Sequence, residues 1–379
     1  MKRRWVYQAG GAFLIALICG WSGYALGVRK SNSNVSPVAG GVEAGNNKSS
    51  RELRSKAIDL TAVKREIDAE KSQLGRFKIA QEHLDRWVAK DPVGALNWLA
   101  SQPPSYRKQE LIRLALKQFS ETDGRGAAEW ALENLEGVEL HNGLIAIANE
   151  WAQQNGREAA EWFLALPVTQ ERDAAVENMM FVWATNEPKA ALAFVGERQD
   201  LDDFAPILRR ASLAGWSKSD PEGAVAASLE ISQKQNDPAQ FANTLANWAT
   251  VDLETSSDWL LKNVEKGDAR NLAATEMGVI FAQQSPQDGL EFLGKLNAGE
   301  ERDAAGNAFA AEWSAAGAAD AAKWAMDQKA INLGDEAANE ISMNFFRQDP
   351  EGFARWKATL PPGNLKNAAE LAGKEPQNE

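Results

Sequence analysis

The chain has 379 residues, 44% apolar and 25% charged, a balance that supports a packed core and excludes a wholly disordered or collagen-like chain. Lys and Arg number 41 against 53 Asp and Glu, and five of the cations (Lys2, Arg3, Arg4, Arg29, Lys30) flank the first apolar run. Residues 31–379 therefore carry 36 basic against 53 acidic groups, a net −17 that argues against nucleic acid as a partner.

That first run, Trp5 to Val28, is 24 residues without a charge. About 20 residues suffice for a helix to cross a bilayer. Residues 1–30 are therefore expected to be a transmembrane anchor or uncleaved signal, crossing through residues 5–28 with the N-terminus inside. A cleavable signal peptide centred on Ala12 to Cys19 is the alternative and would give a secreted protein. Both readings put the C-terminal domain outside the cytoplasm, as in a bacterial periplasm. Cys19 is the only cysteine, so no intramolecular disulfide or thiolate metal centre is available downstream. Residues 31–50, rich in Gly, Ser and Asn, read as a flexible linker. Over residues 51–76, Leu53, Leu60, Ile67 and Leu74 recur every seven residues in a charged helical segment. The segment is expected to cap the first repeat, or alternatively to form a short coiled coil that makes a homodimer through residues 53–74.

A repeat fills residues 77–361. Taking Trp87 as position 0, the aromatics Phe119, Trp151, Trp183, Trp216, Trp248, Phe281, Trp313 and Phe345 follow at steps of 32 or 33 residues. At position 11 stand Trp98, Trp130, Trp162, Phe194, Ala227, Trp259, Phe292, Trp324 and Trp356. All twelve tryptophans beyond residue 50 fall on these two positions, which marks the chain as an array of like units. Position 4 reads Asp91, Asp123, Asn155, Glu187, Asp220, Asp252, Ser285, Gly317 and Asp349, mostly side chains suited to a helix N-cap. Pro92, Pro188, Pro221, Pro286 and Pro350 follow at position 5, the first helical position, where proline is best tolerated. Position 8 is small in eight of the nine units, with Phe353 the exception. Before position 0, apolar residues such as Leu111, Ile112, Ala115 and Leu116 form the stripe of an amphipathic helix. Each unit is thus two short antiparallel helices, and the fold class expected is all-α: an α-solenoid of about nine helical hairpins behind an anchor helix and a linker. Residues 362–379 read as a C-terminal cap and a disordered tail.

The stretch DPVGALNWL, 91–99, resembles the helix-to-helix junction of tetratricopeptide repeats, with Pro92 six residues before Trp98 and Pro350 six before Trp356. The units are 32 or 33 residues long rather than that family's 34, and Leu99-Ala100-Ser101-Gln102-Pro103 replaces its continuation after the tryptophan. The resemblance implies protein or peptide binding on a curved helical surface.

Chemistry-bearing groups are sparse. His83 and His141 have no companion at metal-ligand spacing, and no catalytic, cofactor or metal residues are expected. An exported glycan-acting hydrolase or lyase on an α/α helical-hairpin fold is the alternative function, since carboxylates abound. Position 10 lies beside the apolar stripe and reads Asn97, Glu129, Glu161, Ala193, Ala226, Asp258, Glu291, Lys323 and Arg355. Glu129, Glu161, Asp258 and Glu291 are the candidate partner-binding ridge, complementary to a basic segment of a protein or peptide. The alternative is an ordinary solvated face.

Overall fold

The computed structural model describes residues 58–327 and 331–372. The expected anchor, the linker, the first residues of the capping segment and the end of the tail lie outside them. Among the described residues the protein is all-α, with eighteen α-helices and one 3-10 turn. None of these helices is long and apolar enough to cross a membrane.

Helix Leu60–Ala69 comes first and is capped by Asp59, whose carboxylate accepts from the Thr61 and Ala62 amides. It stops at Glu70, and a second helix starts at Gln73 behind Ser72, four residues before the expected repeat boundary. Of the heptad residues, Leu60 and Ile67 therefore lie in the first of these helices and Leu74 in the second. Val63 and Ile67 are buried, whereas Leu74 is 56% exposed.

From Gln73 onward the hairpins follow the repeat. Trp87 closes helix Gln73–Lys90, Asp91 alone leaves helical geometry, and helix Pro92–Ala100 begins at once. The same break recurs with nearly the same backbone: φ −149°, ψ 74° at Asp91, φ −151°, ψ 84° at Asp220 and φ −144°, ψ 85° at Asp349. In two hairpins the break is a single non-helical residue inside an otherwise continuous helix, Asn155 within Gly137–Leu164 and Gly317 within Glu300–Asp327. The cause is local. The amide at position 4 still donates to the carbonyl at position 0, as from Asp349 to Phe345 at 2.9 Å, while at Asp91, Asp123, Asn155, Asp220, Asp252 and Asp349 the side chain turns to accept from an amide of the next helix. Asp91, Asp123, Asp220 and Asp349 all accept from the glycine three residues on, at 2.7 to 2.9 Å. In two hairpins the position-4 carboxylate holds the indole of position 0, in addition to its capping bond at Asp220 and in place of one at Glu187. Trp183 Nε1 donates to Glu187 at 3.0 Å, and Trp216 Nε1 donates to Asp220 at 3.3 Å.

Every aromatic at position 0 is at most 9% exposed. Those at position 11 divide, with Trp130, Phe194 and Phe292 buried and Trp98, Trp162, Trp259, Trp324 and Trp356 half-buried. The two positions meet as ring pairs 4.9 to 6.5 Å apart in seven hairpins. Between hairpins, the ring at position 0 rests on the start of the preceding hairpin's second helix. Any side chain at Gly156 would collide with the Trp183 ring. Position 8 is buried throughout, from Ala95 to Phe353, because the helices meet there.

The strongest helix packing is between elements adjacent or next but one in the chain. The apolar core runs continuously from Ile58 to Ala211 and resumes from Val225 to Ala321, then from Ala310 to Ala372. The first two stretches adjoin at the fifth hairpin, Ala205–Ser219 with Pro221–Gln235, where Leu213, Trp216 and Ala224 are also buried. There Ala227 stands in place of an aromatic, and the fully buried Ser212 and Ser228 donate to carbonyls of their own helices, at 2.8 Å each.

Candidate protein-binding surface

All four ridge residues are exposed, so position 10 does face solvent. Three of them already meet cations of this chain. Glu129 accepts from Arg125 at 2.8 Å, Glu161 lies 3.8 Å from Arg157, and Asp258 lies 3.8 Å from Lys295. Glu291 has no such neighbour among the described residues. Elsewhere in the row, Asn97 is spent on structure, its side-chain oxygen accepting from the indole of Trp130 at 2.9 Å. Arg157 also reaches Glu197 at 3.1 Å and, with Arg198, lies against the Phe194 ring at 5.3 and 5.5 Å. The carboxylates thus sit in a mixed-charge surface in which exposed pairs contribute little each.

A concavity lies on the edge formed by the connections that follow the third and fourth hairpins. It is a groove of about 750 Å³. One wall is the strap after helix Gly137–Leu164, where Leu166 is half-buried and Val168 is 76% exposed. The other is the 3-10 turn Gln199–Phe204, with Phe204 and Ile207 half-buried at its base. Arg172, 8% exposed, joins the walls: it grips Asp173 at 2.8 and 2.5 Å and lies 5.7 Å from the Phe204 ring centre. Arg198 forms a two-pronged pair with Asp200 at 2.6 Å, and the hydrogen bonds from this guanidinium pull the Asp200 carboxyl down to about 2. Asp202 is held at φ 41°, ψ −120°, a backbone region that favours glycine.

Sequence reasoning missed this groove, and it missed a column of cations eleven residues before position 0. Arg76, Arg172, Arg270 and Arg302 occupy that place. Each donates to carbonyls at or just past the end of the preceding helix: Arg76 to Glu70, Arg172 to Leu164, Arg270 to Leu261 and Val264, Arg302 to Gly294 and Leu296. A helix ends with carbonyls that lack intrahelical partners and with partial negative charge, so a guanidinium there satisfies both. Aligning the units on position −11 would have exposed the column.

The histidines take no part in either feature. His83 contacts Arg86 at 2.6 Å and Glu66 at 3.7 Å. Among the described residues no group of three His, Cys, Asp or Glu is placed to hold a metal ion. Comparison with known proteins returns no matching family model, no matching curated protein and no matching solved structure.

Proposed function

We propose that this chain is a membrane-anchored scaffold, with an envelope-facing α-solenoid of tetratricopeptide-like hairpins that binds a protein or peptide partner and performs no catalysis of its own. The observation that carries the reading is the repetition itself. Successive hairpins are built alike and pack mainly on their neighbours in the chain, so corresponding surface positions recur along the array. Such an array suits an extended ligand held by several weak contacts. Residues 5–28 supply the membrane attachment in this reading, and residues 31–50 the tether, with a root-mean-square reach of about 25 Å.

The test is capture of native envelope proteins by the full-length protein, at low and moderate salt, against a variant with Glu129, Glu161, Asp258 and Glu291 all changed to Lys. The ridge predicts salt-sensitive capture that the reversed variant loses while its helicity and melting stay unchanged. Equal capture by both at every salt concentration returns those carboxylates to an ordinary solvated face. Products released from an envelope glycan by the purified protein would replace the scaffold with the glycan-acting enzyme.

A further inference from the structure

We propose that the groove between the 164–169 strap and the Gln199–Phe204 turn receives an extended segment of a partner protein in which a Lys or Arg adjoins an apolar side chain. The assignment rests on the scaffold reading above and gives it a specific site.

Charge selects the sign of the ligand. The groove holds four carboxylates and two guanidinium groups, and both cations are already matched, Arg172 by Asp173 and Arg198 by Asp200. Asp202 and Asp203 remain. Both are exposed, and neither carboxylate has a hydrogen bond or ion pair among the described residues. An anionic ligand would find no free cation there, whereas a Lys or Arg would find two free carboxylates on one rim.

Apolar surface and backbone select an extended peptide. Val168 is 76% exposed on the opposite wall, and Leu166, Phe204 and Ile207 offer partly covered hydrocarbon between the walls. The strap from Pro167 to Thr169 has no regular secondary structure, and the Val168 and Thr169 amides donate to nothing among the described residues. An extended chain laid along the strap can accept from one of those amides while its apolar side chain covers Val168. A quaternary ammonium ligand is a poorer match. Such ligands need several ring faces, and the groove's one aromatic, Phe204, already faces Arg172. A volume of about 750 Å³ is ample for such a short segment.

The probe is a fluorescein-labelled GLKLKVG peptide, with GLELEVG and GSKSKSG as controls, followed by anisotropy against the full-length protein at two salt concentrations. Two variants accompany it: Asp202→Asn with Asp203→Asn, since Asn also tolerates positive φ, and Val168→Ser on the far wall. Expected are preference for GLKLKVG over both controls, a loss of roughly tenfold in the double Asn variant, and a loss in Val168→Ser that salt does not change. Undetectable GLKLKVG binding at millimolar protein, equal binding of GLELEVG, or unchanged binding by both folded variants overturns the assignment. Native partners captured equally by wild type and the Asn variant would remove the groove while leaving the scaffold. A wild type that binds neither peptide nor partner removes both.

Discussion

Arg270 donates through Nε to Glu301 at 2.6 Å, joining the seventh hairpin to the eighth through two side chains only 10% and 5% exposed. The guanidinium also holds the Val264 carbonyl at 2.6 Å, and Glu301 accepts from Asn297 as well. The pair thus ties two hairpins together with charged hydrogen bonds inside a seam whose outer part carries a second polar contact, from Gln283 to Glu312 at 2.9 Å.

Removing one partner from this pair leaves the other charge buried. Glu301→Ala should therefore destabilise the protein by about 3 kcal/mol or more, whereas Arg270→Met with Glu301→Leu should recover most of that. Urea unfolding of the three proteins measures both effects. Burial works against ionisation of Glu301, but the hydrogen bonds from Arg270 and Asn297 outweigh it, and its pKa lies below the ordinary glutamate value. A lowered pKa means that the stabilisation is complete above the unfolded-state value and is lost as pH falls through the folded one. Melting temperature should drop more steeply on acidification in wild type than in the double variant.

Trp151 and Trp162 form a ring pair 5.7 Å apart but differ in burial, Trp151 being 6% exposed and Trp162 half-buried. Trp151→Ala should cost about 3–5 kcal/mol, the range for truncating a large core aromatic. Trp162→Ala should cost less, because part of its ring already meets water. Equal losses in chemical denaturation would show that the outer ring is as fully committed to the core as the inner.

Asp220 does two jobs, capping helix Pro221–Gln235 through the Gly223 amide at 2.9 Å and accepting from the Trp216 indole at 3.3 Å. Asp220→Ala should lose the cap, about 1 kcal/mol, and the indole partner besides. Asp220→Asn keeps an acceptor oxygen and should be nearly neutral. The check is the order of the melting temperatures, wild type and Asn close together with Ala below them.

The fifth hairpin should be the least protected part of the array. It lacks the second ring, Ala227 standing there, and Ser212 and Ser228 bring fully buried hydroxyls into its core. Amide hydrogen exchange should be faster in Pro221–Gln235 than in Gln170–Asn186. Ala227→Phe restores the ring expected opposite Trp216 and should slow that exchange, an aromatic pair contributing about 0.5–1.5 kcal/mol. Unchanged exchange in this variant would locate the weakness in the serines instead.

The sequence by itself determined the helical content, the unit length and the place where each hairpin breaks. All three depend on groups within one turn of each other: the Asp91 carboxylate meets the Gly94 amide whatever lies farther away, and Pro92 starts a helix by its own geometry. The same locality explains the break at Asn155, where no proline marks it. Tertiary structure alone decided what depends on neighbours about thirty residues away. Asp258 looked like part of a free acidic row until packing set Lys295 of the next hairpin beside it, whereas Arg157 meets Glu161 from one turn away on the same helix. The same packing sends Arg270 to cap one hairpin and bind the next, and lets the Gln199–Phe204 turn enclose a groove with the strap before it. A period locates a residue within its own hairpin. Which charge meets which across the seam depends on how the helices are rotated against one another, and that is settled by the fit of rings such as Trp183 over Gly156.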